Sequence, residues 1–121
     1  MNGVVGAVSD LGVAAALFRG LADPTRLAIL RHLAHGEARV VDLTSTVGLA
    51  QSTVSGHLAC LRDCGLITAR PEGRQVFYAL AYPELLDLLT AAEKLLDATG
   101  HQIALCPVYG TDHTCTDSCT D

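Results

Sequence analysis

Two cysteines in the middle of the chain, Cys60 and Cys64, are four residues apart. In a helix this spacing makes both sulfur atoms project from one face, about one turn apart. Two thiolates placed in this way can chelate a soft cation. Because soft metals usually take three or four ligands, such a pair needs a further ligand from elsewhere. The alternative is structural, since free cysteines are often small buried hydrophobes.

The C-terminal segment carries the other three of the five cysteines, Cys106, Cys115 and Cys119. In a reducing compartment, clustered cysteines in odd number are typical of metal ligands or redox groups. We expect residues 100–121, rich in Thr, Asp and Cys, to form a flexible tail that supplies the missing ligand. His101 and His113 lie near the last two cysteines, so a second cluster for zinc or copper is possible. The alternative is a disordered polar tail whose cysteines and histidines have no role in metal binding.

Apolar periodicity and helix-end signals predict the elements that carry the central pair. Asp23 followed by Pro24 is a strong helix opening, with an acidic cap and proline at the first helical position. The predicted helices cover residues 8–21 (capped by Ser9 or Asp10), 24–35, 40–47 and 51–64, and a last long helix opens at Tyr82-Pro83. Gly48 to Ala50 is a tight connection between two of them, which is typical of a helix-turn-helix.

After Gly65 the pattern changes to that of a β-hairpin. Strands are predicted over 66–70 and 75–80, with a turn at Pro71-Glu72-Gly73. A hairpin directly after a recognition-type helix indicates a winged helix. We therefore expect a mainly α (α+β) winged helix-turn-helix of about five helices and a two-stranded wing. Residues 1–99 would form the DNA-binding and dimerisation domain, and residues 100–121 the metal-binding tail.

The charge distribution is compatible with DNA binding although the net charge is −5. Residues 19–80 hold seven arginines against five acids, whereas residues 81–121 hold Lys94 against seven acids.

The last helix is apolar on more than one face, which favours packing on a second copy of the chain. The apolar N-terminus lacks a basic leader and carries Asp10, so we expect a cytoplasmic protein without a secretory signal. No apolar run reaches the roughly 18 residues of a membrane helix.

The helix over 51–64 has the two faces of a recognition helix. Val54, Leu58 and Leu61 share a narrow arc that should face the core, and small hydroxyl residues occupy the opposite side. Small polar residues let a helix enter the major groove and bond base edges or phosphates, and Arg74 is placed at the wing tip. The candidate DNA contacts are Gln51, Ser52, Thr53, Ser55, His57, Arg62 and Arg74.

These segments resemble the ArsR/SmtB family of dimeric winged-helix repressors, which release operator DNA when a metal or metalloid binds. The resemblance rests on residues 21–30 (LADPTRLAIL), 51–58 (QSTVSGHL), 61–62 (LR), 64–66 (CGL) and 73–78 (GRQVFY), and covers roughly residues 10–98. It implies a homodimer that binds double-stranded operator DNA in its metal-free form.

Within that family, residues 57–66 (HLACLRDCGL) are similar to actinobacterial sensors of cadmium and lead. In those sensors two cysteines at this helix position join one tail cysteine of the other subunit. The resemblance therefore implies Cys60, Cys64 and Cys106 as ligands. Cys115 and Cys119 depart from that pattern and would replace or supplement Cys106. An all-thiolate site favours Cd(II) or Pb(II) as inducer over Ni(II) or Co(II), with Zn(II) as a further candidate.

Other sites and other classes of protein fit less well. Arsenic-sensing cysteines in the first helix of the helix-turn-helix are absent, and the last helix lacks the paired Asp/His and His/Glu ligands of zinc-type sites. No catalytic motif surrounds the cysteines and histidines, which argues against an enzyme. Two alternatives stay open, an arsenite- or antimonite-responsive repressor and a repressor that responds to thiol oxidation.

Overall fold

The computed structural model describes residues 11–105; residues 1–10 and 106–121, with Cys106, Cys115, Cys119 and the predicted caps Ser9 and Asp10, lie outside the described residues. The elements are α1 (Leu11–Leu21), α2 (Pro24–Leu33), β1 (Ala38–Arg39), α3 (Val40–Val47), α4 (Gln51–Asp63), β2 (Ile67–Glu72), β3 (Gln75–Leu80) and α5 (Glu84–Ala98). This is the predicted winged helix-turn-helix with five helices. None of the helices in this range is long and apolar enough to cross a membrane.

The helix starts follow the local chemistry that the sequence predicts. The Asp23 carboxylate caps α2 by accepting a hydrogen bond from the backbone N–H of Arg26 at 3.0 Å, and Pro24 stands at the first helical position. The predicted end at residue 35 was two residues late, because the chain leaves α2 after Leu33. Gly48, with φ +71°, ends α3 in a left-handed conformation that makes the turn into α4 compact.

One apolar core supports the helix-turn-helix. Its fully buried side chains include Val54, Leu58 and Leu61, the three residues of α4 that the sequence assigns to the core. The other members are Ile29, Leu30, Leu33, Ala38, Leu43, Leu66, Ile67, Leu85 and Leu89. Every helix except α1 contributes a buried side chain to this cluster. Helix α4 packs against α2, α3 and β2, and this packing sets its orientation.

The wing differs from the prediction in two ways. Strand β2 continues through Pro71 and Glu72, so the expected turn at residues 71–73 was wrong and the connection consists of Gly73 and Arg74. The sheet also has a third strand, because β1 pairs antiparallel with β3 through Ala38 and Arg39. A two-residue strand has no periodicity of its own, since its hydrogen bonds depend on a partner far along the chain. The wing is thereby joined to the start of α3.

A bidentate ion pair fixes the start of α3. The Asp42 carboxylate accepts hydrogen bonds from the backbone N–H of Arg39 at 2.9 Å and from Nε and Nη2 of the same residue at 3.1 and 3.0 Å. These bonds from Arg39 lower the pKa of Asp42 from 3.8 to about 2. The carboxylate thus supplies both a helix cap and a brace between β1 and α3.

We predict that Asp42→Asn lowers the free energy of unfolding near neutral pH, because the amide cannot form the charged pair with Arg39. Since the folded state holds the pKa of Asp42 at about 2 instead of 3.8, the stabilisation is complete above the higher value and is lost as the pH falls through the lower one. Urea unfolding of both proteins at a series of pH values tests this. A difference in stability that stays constant across that window would contradict the assignment.

Candidate metal centre and nucleic-acid interface

Helix α4 presents an exposed polar surface at its N-terminal half. Gln51, Ser52, Thr53 and Ser55 are all exposed, and the helix begins immediately before them with Ala50 as its N-cap. Their short side chains leave the helix surface low, which suits entry into the major groove. Near the other end of the helix, Arg62 is also exposed. Six of the seven predicted DNA contacts, including Arg74 in the wing turn, thus lie on the surface.

The two arginines of the wing have different surroundings. Arg70 donates to Glu37 through Nε at 3.0 Å and Nη2 at 2.7 Å, and to Glu72 through Nη1 at 2.6 Å. Its guanidinium also lies 5.0 Å from the centre of the Phe77 ring. Arg74, by contrast, is exposed in the two-residue turn. Because two carboxylates neutralise Arg70, Arg74 is the wing residue best placed to meet a phosphate.

The two thiols lie on a different face of α4, and that of Cys64 contacts α1. Cys60 and Cys64 are free, and both are half-buried. The Cys64 sulfur lies 3.8 Å from the carbonyl oxygen of Ala16, to which its S–H donates. One turn further along α1, a Cβ atom added to Gly20 would lie 3.2 Å from the same sulfur. Glycine at this position therefore lets α1 approach the thiol closely.

The surroundings of Cys64 favour its protonated form. Burial raises the pKa of the Cys64 thiol above its usual value, and the adjacent Cys60 thiol adds to this increase. The Arg26 guanidinium lowers the pKa of Cys64, but its effect is smaller than the sum of the others. The S–H donor to Ala16 is consequently present near neutral pH, and binding of a cation by the thiolate must release this proton.

His57 lies on the same side of α4 as the two cysteines, one and two turns before them. Its ring is half-buried, with Nδ1 3.4 Å from Nη1 of Arg26 and 3.9 Å from the Asp23 carboxylate. The guanidinium of Arg26 also donates to the carbonyl oxygens of Gly20 at 2.8 Å and Arg19 at 2.9 Å. The structure thus places His57 in a junction between α1, α2 and α4, apart from the exposed polar side chains at the start of α4.

The donor chemistry of the pair fits a soft cation but does not complete a site. Two thiols at i and i+4 on one helix face supply two sulfur ligands. Between residues 11 and 105, no group of three or more His, Cys, Asp or Glu side chains comes together in a way that could hold a metal ion. A site with three ligands would therefore need a ligand from outside this range or from a second chain, and the predicted tail cysteines lie outside it.

The sequence did not identify Arg26 and Gly20 as residues of this region. Arg26 looks like an ordinary solvated arginine in the first turn of α2. Its partners Arg19 and Gly20 lie across the break between α1 and α2, and His57 lies 31 residues further along the chain. Gly20 does leave a signal, because a glycine inside the alanine-rich α1 lowers helix propensity. Such a glycine often marks a close approach of another group, which here is the Cys64 sulfur.

A wing joined to a helix-turn-helix, with an exposed polar surface on α4, is the architecture of a winged-helix regulatory protein. Residues 23–69 match the model of the bacterial regulatory proteins of the arsR family. The NMR structure of the cadmium metal-sensor CmtR from Mycobacterium tuberculosis superposes on this chain with a TM-score of 0.58. The two sequences are 48% identical, and the alignment covers 68% of this chain and 85% of that one. The chain belongs to the arsR family.

Two curated relatives are similar over the same region. A probable mercury resistance operon repressor from Streptomyces lividans is 41% identical over 81 residues, which are 67% of this chain and 65% of the relative. The transcriptional regulator CmtR from Mycobacterium bovis is 55% identical over 67 residues, which are 55% of this chain and 57% of the relative. The chain thus spans less than two thirds of the length of these relatives.

Two further solved structures are similar over about three quarters of this chain. One is the homodimeric winged helix-turn-helix DNA-binding domain of a possible ArsR-family regulator from Mycobacterium bovis, with a TM-score of 0.69, 31% identity and coverage of 74% of this chain and 83% of that one. The other is reduced HlyU from Vibrio cholerae, with a TM-score of 0.61, 36% identity and coverage of 78% and 95%.

We predict that Arg26→Met lowers the free energy of unfolding by about 1–3 kcal/mol, because two backbone carbonyls at the end of α1 lose a charged donor. Arg62→Met is the matched control, since Arg62 is exposed on α4 and its loss should change stability by less than about 0.5 kcal/mol. Urea unfolding measures both. Equal stability of the two variants would show that the junction does not hold the helices together.

Proposed function

We propose that the chain is a metal-sensing transcriptional repressor that binds operator DNA as a homodimer and is released when Cd(II) or Pb(II) binds its cysteine thiolates. The observation that carries this proposal is that one helix, α4, holds both the candidate DNA contacts and the two thiols. The exposed polar surface and the two free thiols both belong to α4, on different faces. A ligand bound at the thiols therefore acts on the same rigid element that would read DNA.

Exposed apolar side chains on α1 and next to or on α5 support the homodimer. Leu11, Val13 and Phe18 of α1 are 56%, 79% and 56% exposed, and Tyr82 and Leu95 are 63% and 67% exposed. Large apolar side chains gathered on the terminal helices mark a surface that another chain covers. Two copies of the domain related by a two-fold axis would then present their α4 helices to successive major grooves of a pseudo-palindromic operator.

The contact between Cys64 and α1 offers a route from the thiols to the dimer. A soft metal ion bound at this pair would act as a Lewis acid and would stabilise the deprotonated form of the sulfur atoms. Once Cys64 is deprotonated, its sulfur can no longer donate to the carbonyl of Ala16, and α1 loses a contact with the last turn of α4. Because α1 belongs to the proposed dimer surface, the spacing between the two recognition helices changes. Coupling between two such sites is typically ~1–3 kcal/mol and is reciprocal.

The third ligand in this proposal is a cysteine of the tail. Cys106 is the first choice, because the family resemblance assigns a tail cysteine to this role, and Cys115 and Cys119 replace or supplement it. Zn(II) is a weaker inducer in this scheme, since an all-thiolate site of three ligands suits larger, softer ions. The homology to CmtR, named as a cadmium sensor, supports the metal class. We place the protein in the cytoplasm, where reduced thiols persist.

A thiol-redox repressor is the second candidate. Both cysteines are half-buried, so an oxidant has partial access to the pair. A solved structure of HlyU in its reduced form is among the structures similar to this chain. An arsenite-responsive repressor keeps the same architecture and changes only the inducer, because three thiolates also suit a trivalent metalloid.

We predict that Cys60→Ser and Cys64→Ser each abolish release from DNA by Cd(II) while DNA binding of the metal-free protein changes by less than about threefold. Serine keeps the size of the side chain but removes the soft ligand. The DNA is a duplex selected from a random pool by the metal-free full-length protein, and fluorescence anisotropy under reducing conditions measures binding during titration with Cd(II), Pb(II), Zn(II) and arsenite.

Each result of this titration has a distinct meaning. Release by Cd(II) or Pb(II) at stoichiometric amounts, lost in both variants, supports the proposal. Release by arsenite alone keeps the repressor and changes its inducer. If no ion acts and, in a parallel assay without reductant, an oxidant releases the DNA reversibly, the redox candidate replaces the metal sensor.

We predict that Arg74→Ala weakens DNA binding and reduces the slope of log Kd against log salt by roughly one counterion. Arg70→Ala is the matched control in the same wing, because Glu37 and Glu72 already neutralise its guanidinium. We expect Arg70→Ala to leave the slope unchanged. Equal slopes for wild type and Arg74→Ala would show that the wing tip does not contact phosphate.

A further inference from the structure

The wing has three strands only at its base. Arg39 of β1 and Arg70 of β2 both pair with Phe77 of the central strand β3, and β1 ends at this level. Beyond it, β2 and β3 continue alone as a two-stranded outer ribbon, residues 71–76. These six residues are all exposed, so packing on the core does little to hold the outer ribbon. An isolated two-stranded hairpin is only marginally stable in water.

A network of charges lies at the base of the outer ribbon. The Arg70 guanidinium donates to both carboxylate oxygens of Glu37, at 3.0 and 2.7 Å, and its third nitrogen donates to Glu72 at 2.6 Å. It also lies over the Phe77 ring, 5.0 Å from the ring centre. Because Glu37 directly precedes β1, its ion pair with Arg70 crosses the central strand of the sheet. The pair with Glu72 stays within β2.

The geometry of the crossing pair suits it to hold two strands together. Most exposed ion pairs contribute little to stability, but a bidentate arginine–carboxylate pair within a network is an exception. Here two carboxylates and a ring face hold one planar guanidinium, which fixes its orientation. The strand that leads into the outer ribbon is thereby anchored to the start of β1, which continues directly into α3.

We propose that Glu37 and Arg70 form a brace that positions the wing tip for DNA; this rests on the contact between Arg74 and phosphate in the proposed function. Both are positioning residues and not DNA contacts. The brace limits the movement of the outer ribbon before DNA binds, so less conformational entropy is lost when Arg74 meets a phosphate. Because the contact itself is the same with or without the brace, the brace raises affinity without changing the number of counterions released.

The negative charge of Glu37 gives the brace a distinctive sign. A carboxylate near the phosphate backbone opposes binding, so its removal should strengthen binding if the residue has no other role. Loss of a brace has the opposite effect. Glu37→Gln breaks the bidentate pair, since the amide nitrogen cannot accept a hydrogen bond. Glu72→Gln is the matched control, because it removes the same charge from the same arginine but leaves the crossing pair intact.

Fluorescence anisotropy of the metal-free full-length protein, with the duplex that it selects and over a series of salt concentrations, measures both affinity and slope. We expect Glu37→Gln to weaken binding roughly threefold at each salt concentration and to leave the slope of log Kd against log salt unchanged. Glu72→Gln should leave affinity unchanged or raise it. Unchanged or tighter binding by Glu37→Gln, or equal weakening by both variants, overturns the brace.

Two further measurements separate positioning from a general structural effect. In an Arg74→Ala background, Glu37→Gln should no longer weaken binding, and a loss that persists there contradicts the brace. NMR order parameters of the Gly73 and Arg74 amides need no DNA, and we expect them to fall in Glu37→Gln but not in Glu72→Gln. Order parameters that stay the same in Glu37→Gln also overturn the brace.

The outcomes distinguish the brace from the proposed function. If Arg74→Ala weakens DNA binding and Glu37→Gln does not, only the brace is wrong. If Arg74→Ala itself has no effect, the wing contact of the proposed function fails, and the brace fails with it.

Discussion

The guanidinium of Arg26 joins three helices at one point. From the first turn of α2 it donates to the carbonyls of Arg19 and Gly20 at the end of α1 and contacts the His57 ring on α4. The last carbonyls of a helix lack intrahelical partners and carry partial negative charge, so a cation placed there satisfies and stabilises them. Because Asp23 caps α2 beside the same residues, the junction fixes the half-buried face of α4 against α1. The thiols lie on that face, so their environment depends on this junction.

This arrangement explains how a small chemical change could act on a whole domain. The core-facing side of α4 is held tightly by packing, since Val54, Leu58 and Leu61 are fully buried. Its thiol side, by contrast, is held to α1 by the Arg26 junction and by the weak S–H bond of Cys64. A ligand that changes the thiol side must therefore move α1 relative to α4 more readily than it moves α4 within the core. In the proposed repressor, α1 would carry this movement to its exposed apolar side chains, which would form the dimer surface.

Local signals made much of the fold predictable from the sequence. The bounds of α3 and β3 and the Asp23 cap follow from periodicity, capping and turn chemistry, which act over a few residues. The errors have the opposite origin. Strand β1 exists because of its pairing with β3, and Pro71 extends β2 because its partner Val76 continues the ladder. Likewise, Arg70 pairs with Glu37, which lies 33 residues away along the chain, and no local pattern encodes this pairing.

The partial burial of Cys60 and Cys64 couples the chemistry of their thiols to α1 and to the wing. A fully exposed pair could bind a cation without touching α1, and a fully buried pair would oppose both access and loss of the proton. Half-burial lets the sulfur of Cys64 face an incoming ligand and the carbonyl of Ala16 together. Directly after it, Gly65 with φ +79° and the bond from the N–H of Leu66 to the carbonyl of Leu61 close α4 in a Schellman motif that leads into β2. A displacement of the last turn of α4 therefore reaches the wing through the three residues 64–66 and reaches α1 through the contact between Cys64 and Ala16.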